Sequence, residues 1–190
     1  FSSRRRHTRS LVPSRGLGDV YKRQDVYVSR RTRRRYNSGR YRLSVDQAFA
    51  EVIRACALPR PGEDGTWITP DMEQAYIDLH GLGHAHSLEV WSDGELAGGI
   101  YGLALGAVFF GESMFSARTD GSKIALIALC RLLVRAGFRL MDCQVSNPHL
   151  RRMGAIEISR KKFEDELSTH VELPERFAAL AGDQRFDHRW

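Results

Sequence analysis

Three residues could do chemistry in this chain: Glu112 and Asp142, each beside an apolar run, and Gln144, two positions after Asp142. They lie in Gly111-Glu112-Ser113-Met114-Phe115-Ser116 and Asp142-Cys143-Gln144, on either side of a helix-like stretch. A buried carboxylate costs several kcal/mol unless it is paired or hydrogen-bonded, so acids at such places are expected to be used. The work open to them is proton transfer or the orienting of a polar substrate. An equally good reading, on residue types alone, is a structural hydrogen-bond pair that ties strand ends together. Side chains alternate along a strand, which predicts that Asp142 and Gln144 share one face. Cys143 between them is read as a small apolar filler, with a nucleophilic thiol as the alternative. His84 and His86 offer too few ligands for a metal, so they are read as hydrogen-bonding groups in a turn and strand.

The elements that must hold these residues follow from periodicity. Apolar residues at Val45, Ala48, Phe49, Val52, Ile53 and Cys56 predict a helix over 44–57, with Ser44 as its cap. Thr69 followed by Pro70 and Glu73 predicts a second helix to about Leu82, with Met72, Ala75, Tyr76 and Leu79 buried. Three strands follow at 86–91, 95–104 and 107–115, the first two joined by a hairpin turn at Ser92-Asp93-Gly94. Gly98, Gly99, Gly102 and Gly106 suit close backbone approach or a bulge. A helix over 122–136 closed by Gly137, a strand over 139–145, a short helix near 148–153 and a last helix over 160–167 complete the pattern. The order predicts a mixed α+β domain with a mainly antiparallel sheet covered by helices.

Charge is uneven along the 190 residues. The formal net charge is +6, but residues 1–24 carry seven basic groups and one acid, and the remainder holds 22 of each sign. That opening segment shows no hydrophobic periodicity and resembles translated sequencing-adapter read-through, as in Ser2-Ser3-Arg4-Arg5-Arg6-His7-Thr8-Arg9-Ser10. It is therefore set apart as non-native, ahead of a nucleic-acid-binding arm or a transit peptide. The domain is expected over 25–168, with a tail of no assigned role over 169–190. Within the domain, seven arginines fall between Arg30 and Arg42. Such a run is a solvated helix face or loop, or a phosphate contact. No apolar run is long enough to span a bilayer. Three scattered cysteines, Cys56, Cys130 and Cys143, read as reduced thiols of a cytoplasmic protein.

Gly65-Thr66-Trp67-Ile68-Thr69, Leu82-Gly83-His84-Ala85-His86-Ser87-Leu88-Glu89-Val90-Trp91, Gly98-Gly99-Ile100-Tyr101-Gly102, the Glu112 segment, Ser122-Lys123 and Asp142-Cys143-Gln144 occur in one order. Together they resemble the motifs of bacterial leucyl/phenylalanyl-tRNA–protein transferases across 25–167. The family's Gly-x-Phe-Pro-Trp motif is absent, as expected of a gene truncated where adapter sequence begins. The resemblance implies a GCN5-related acetyltransferase-like fold. It also implies transfer of Leu, Phe or less often Met from aminoacyl-tRNA to the N-terminal Arg or Lys of a protein marked for degradation. By the same resemblance Asp142, Gln144 and Glu112 are catalytic, while Trp67 stacks on the terminal adenine and Ile100, Met114, Leu129 and Ser113 hold the amino acid. Arg30, Arg31, Arg33, Arg34, Arg35 and Lys123 contact tRNA. Neither cofactor nor metal is expected, and the chain is expected to be a monomer.

Two alternatives accompany this reading. Arg118-Thr119-Asp120-Gly121-Ser122-Lys123 nearly matches a loop that holds the pyrophosphate of coenzyme A at a helix N-terminus, which would make the chain an N-acetyltransferase. Lys123 stands there in place of a small residue. The other alternative is a truncated tRNA-binding fragment that lacks activity.

Overall fold

A computed structural model describes residues 17–22, 27–59, 66–144, 148–174 and 176–184. Its centre is an eight-stranded sheet of order β7-β1-β6-β5-β4-β3-β2-β8. The strands are β1 (Leu17–Lys22), β2 (Arg42–Val45), β3 (Ala85–Ser92), β4 (Glu95–Leu105), β5 (Val108–Ser116), β6 (Leu140–Asp142), β7 (Ile156–Ser159) and β8 (Gly182–Gln184). All neighbours pair antiparallel except β5 and β6, which run parallel. The helices are α1 (Arg30–Tyr36), α2 (Phe49–Ala57), α3 (Pro70–Gly81), α4 (Gly121–Ala136), α5 (Pro148–Arg152) and α6 (Arg160–His170). The mixed, mainly antiparallel α+β architecture expected from the sequence is what forms.

Period-two alternation sorts the side chains of the central strands onto two faces. Leu88, Val90, Ile100, Ala104 and Phe109 meet α4, which is buried along most of its length. On the other face Tyr101 and Ala85 meet Phe49, Val52, Ile53 and Cys56 of α2. Asp93 and Gly94 both have positive φ, 56° and 82°, as a two-residue hairpin turn of the primed kind requires. Gly98 and Gly121 let α4 lie directly on β4: a Cβ on Gly98 would stand 2.5 Å from the carbonyl carbon of Gly121. Gly98→Ala is therefore expected to destabilise the fold by about 1–3 kcal/mol through backbone displacement, measured as a lower urea midpoint.

Several local expectations are corrected. Ser44 caps no helix. It lies inside β2 opposite Glu89, and α2 begins at Phe49. Val45, which looked helical, is an inward strand position like Leu43, because pairing with β3 offers both a core. Thr69 does cap α3, its side chain accepting from the Met72 amide, but Ala75 is exposed and Ile77 packs instead. The strand expected over 139–145 is shorter, ending at Asp142.

Two further segments, one before α1 and one after α6, join the sheet. Leu17–Lys22 inserts between β6 and β7 through backbone pairing, which any sequence able to extend can supply. Beyond α6, Phe177 is fully buried on the α4 face, and β8 pairs with β2. One aromatic residue without periodic neighbours leaves no pattern in sequence, although it stacks on His86 and Phe109 at centroid distances of 4.4 and 5.3 Å.

Glu89 is a second residue whose place only the fold shows. It is fully buried, accepting from the hydroxyls of Ser44 and, at 2.5 Å, Ser87. The backbone amides of Gln47 and Ala48 also donate to it, so it caps α2, whose own cap residue Ala48 has no side-chain acceptor. Burial pushes its carboxyl up, against these donors, which pull it down. A raised folded value makes the unfolded chain release its proton first. The stability contribution is then complete below the unfolded value of about 4.3 and declines as pH rises towards the folded one. Urea midpoints across that window are expected to fall for the unaltered chain and stay level for Glu89→Gln.

Candidate active site

The sheet is irregular where the candidate residues lie. Tyr101 pairs with Ser113 and Gly102 with Gly111, so Glu112 is the extra residue of a bulge between β4 and β5. Glycine is needed at the bulge, since a Cβ on Gly102 would stand 2.0 Å from the Phe110 carbonyl oxygen. The bulge directs half-buried Glu112 toward Tyr76 of α3, whose hydroxyl hydrogen-bonds to the carboxylate. Burial first, then the Glu112 charge and this bond, raise the Tyr76 phenol. Tyr101 packs edge-on against Tyr76 at 5.2 Å, and its own phenol is raised by burial and by Cys56, Tyr76 and Glu112. The Tyr101 hydroxyl is buried with no protein hydrogen-bond partner.

Asp142 sits one strand away. The parallel ladder of β5 and β6 runs from Val108 with Leu140 to Phe110 with Asp142. From that point β5 continues to Ser116, so Glu112 stands two residues, about 7 Å, past the end of β6. Asp142 is 8% exposed, and its Oδ1 accepts the Gln144 backbone N–H at 2.8 Å. This turn ends β6 and holds Gln144 at a φ of 60°, with its side chain exposed. Asp142 and Gln144 therefore do not share a strand face by alternation. A short acid that bonds the amide two residues on breaks the strand that alternation assumes. Cys143 is half-buried and packs against the main core, in keeping with a filler role.

Of the residues expected to hold an amino acid, Ile100 and Leu129 lie in the core between sheet and α4, and Met114, opposite Ile100, packs against it. Ser113 is half-buried opposite Tyr101. Trp67 is not drawn into that core. It is 46% exposed in the turn before α3, while Ile68 beside it is buried. Arg30, Arg31, Arg33 and Arg34 are exposed on α1. Arg35 and Lys123 reach one acid: Arg35 Nη1 lies 2.5 Å from Asp120 Oδ2 and Lys123 Nζ 2.8 Å from Asp120 Oδ1. Partial burial works to raise the Asp120 carboxyl, but Lys123, Arg35 and Arg31 together hold it below its ordinary value.

The loop resembling a coenzyme A cradle is already occupied by the protein itself. The Gly121 amide donates to the Arg118 carbonyl at 2.9 Å and the Ser122 amide to Ser116 Oγ at 3.2 Å, with the Asp120 carboxylate beside them. A pyrophosphate would find neither amide open. His86 hydrogen-bonds through Nδ1 to Asp46 at 2.7 Å, and among the described residues no group of three or more His, Cys, Asp or Glu side chains could hold a metal. No helix among them is long and apolar enough to cross a membrane.

Tyr76 and Tyr101 escaped sequence reasoning, because aromatic residues at core spacing are indistinguishable from filler. For Glu89 a signal existed: Ser87 and Glu89 are polar at a spacing of two inside an apolar strand.

The fold and site define a mixed α+β domain with two carboxylates on adjacent parallel strands where one strand ends. A family model described as leucyl/phenylalanyl-tRNA protein transferase matches residues 20–168, and the chain belongs to that family. A leucyl/phenylalanyl-tRNA–protein transferase of Xanthomonas campestris pv. campestris strain 8004 is 52% identical over 157 residues, which cover 82% of this chain and 63% of the relative. The protein of the same name from Alkalilimnicola ehrlichii is 53% identical over 163 residues, covering 85% of this chain and 62% of its own. The chain thus spans somewhat under two thirds of these relatives' length. Among solved structures, that of L-PGS from Bacillus licheniformis aligns with a TM-score of 0.51 at 14% identity, over 76% of this chain and 58% of that one, a likeness of fold alone.

Proposed function

We propose that this chain moves Leu, Phe or Met from aminoacyl-tRNA to the N-terminal Arg or Lys of an acceptor protein, marking it for degradation. The observation that carries this reading is the placing of Glu112 and Asp142 beside the end of β6, in a chain of this family. The ester is already activated, so the enzyme need mainly position an amine, take its proton and stabilise the developing oxyanion. The acceptor's α-amine attacks the ester carbonyl carbon, a C–N bond forms, and the ester C–O bond to the terminal ribose breaks. Asp142 accepts the proton the amine loses, and that proton passes to the departing ribose oxygen. Gln144, tied to Asp142 by its backbone, presents its side-chain amide to the carbonyl. Glu112, steadied by Tyr76, orients the aminoacyl group.

In this reading Ile100, Met114, Leu129 and Ser113 receive the amino-acid side chain, exposed Trp67 stacks on the terminal adenine, and the α1 arginines with Lys123 grip phosphates. The domain is of the GCN5-related acetyltransferase kind and works as a cytoplasmic monomer. The test is transfer of radiolabelled Leu or Phe from charged tRNA to an Arg-initiated peptide. Transfer supports the reading. Salt-sensitive tRNA binding without transfer would reduce the chain to a binding fragment, and acetylation of the peptide from acetyl-CoA without aminoacyl transfer would overturn the reading.

A further inference from the structure

Tyr101 is fully buried on β4, and among the described residues its hydroxyl has no hydrogen-bond partner. Packing accounts for the ring, which lies edge-on to Phe49 at 5.8 Å and to Tyr76 at 5.2 Å. It does not account for the oxygen. A buried hydroxyl without a partner is costly, and phenylalanine would fill the same space without that cost.

The surroundings narrow what the hydroxyl is for. Three ionisable groups act on the Tyr101 phenol, namely Cys56, Tyr76 and Glu112, and Glu112 is the one carboxylate among them. Cys56 is a buried thiol, a weak acceptor at best. The Tyr76 hydroxyl already donates to Glu112. On β4, Tyr101 and Gly102 stand on the two sides of the bulge whose extra residue is Glu112.

Glu112 is steadied from α3, through Tyr76, and α3 is a loosely seated support. None of its twelve residues is fully buried, and Tyr76, Ile77 and Leu79 are the partly buried ones that pack against the α2 cluster. An element with so little burial gives way more readily than a central strand. Tyr101, by contrast, lies on a strand paired on both sides, by β3 and by β5. We infer that Tyr101 is a positioning residue: when the aminoacyl group enters, the Glu112 carboxylate takes a second bond from the Tyr101 hydroxyl, so that the acid which orients the substrate is held by the sheet. The inference rests on the transferase reading. A carboxylate has two oxygens and room for both donors, and a hydroxyl bond to a charged acceptor is about twice as strong as a neutral one. Burial raises both phenols, which keeps each of them a donor.

The experiment compares Tyr101→Phe with the unaltered full chain in transfer from charged tRNA to an Arg-initiated peptide, and in urea unfolding. The variant is expected to lower kcat about 10- to 100-fold, the loss of a hydrogen bond to a charged group, and to leave KM for charged tRNA unchanged. Its urea midpoint is expected to equal or exceed that of the unaltered chain, because the hydroxyl removed has no partner before substrate enters. A variant with unchanged kcat would overturn the role of Tyr101 and leave the transferase reading standing. So would a fall in kcat matched by a lower urea midpoint, which would make the hydroxyl part of the core. Absence of transfer by the unaltered chain would overturn both.

Discussion

Asp142→Asn is expected to lower transfer from charged tRNA to an Arg-initiated peptide by about 10²–10⁴-fold, the range spanned by a positioned acid–base group. The substitution discriminates because of how the residue is held. Its Oδ1 accepts the Gln144 amide, and an asparagine carbonyl accepts the same bond, so the turn that ends β6 survives. What is lost is the charge and the capacity to take a proton. The expected signature is a fall in kcat with little change in KM for tRNA, since phosphate contacts lie elsewhere. A variant as active as the unaltered chain would remove Asp142 from proton transfer and leave it the structural part that its backbone bond already shows.

Phe177→Ala is expected to cost about 3–5 kcal/mol, the range for emptying a buried aromatic site. Phe177 is fully buried, stacked on His86 and Phe109 and edge-on to Phe138 at 6.0 Å, and it packs beneath α4. Little can collapse into the space, because the rings around it belong to separate strands and loops. Urea unfolding should show the loss as a lower midpoint, while Leu173→Ala, exposed nearby, should stay within about 0.5 kcal/mol. A small effect at Phe177 would mean that the segment after α6 is not part of the cooperative unit.

The sequence by itself determined the local elements and the identity of the acids. Thr69-Pro70, the turn at Asp93-Gly94 and the cap at Gly137 are set by bonds or backbone angles within a few residues, and each forms where its residues predict. Glu112 and Asp142 stood out because a carboxylate beside an apolar run is costly wherever the chain goes. Tertiary structure decided the rest, for reasons that lie between segments. Ser44 became a strand residue because β3 offered it Glu89. Gln144 left the strand because the Asp142 carboxylate bonds its amide. Tyr76 came to steady Glu112 only because a bulge at Gly102 turned that acid toward α3. The strands before α1 and after α6 were invisible because pairing is a property of two backbones, and one chain segment carries no mark of the partner it will meet.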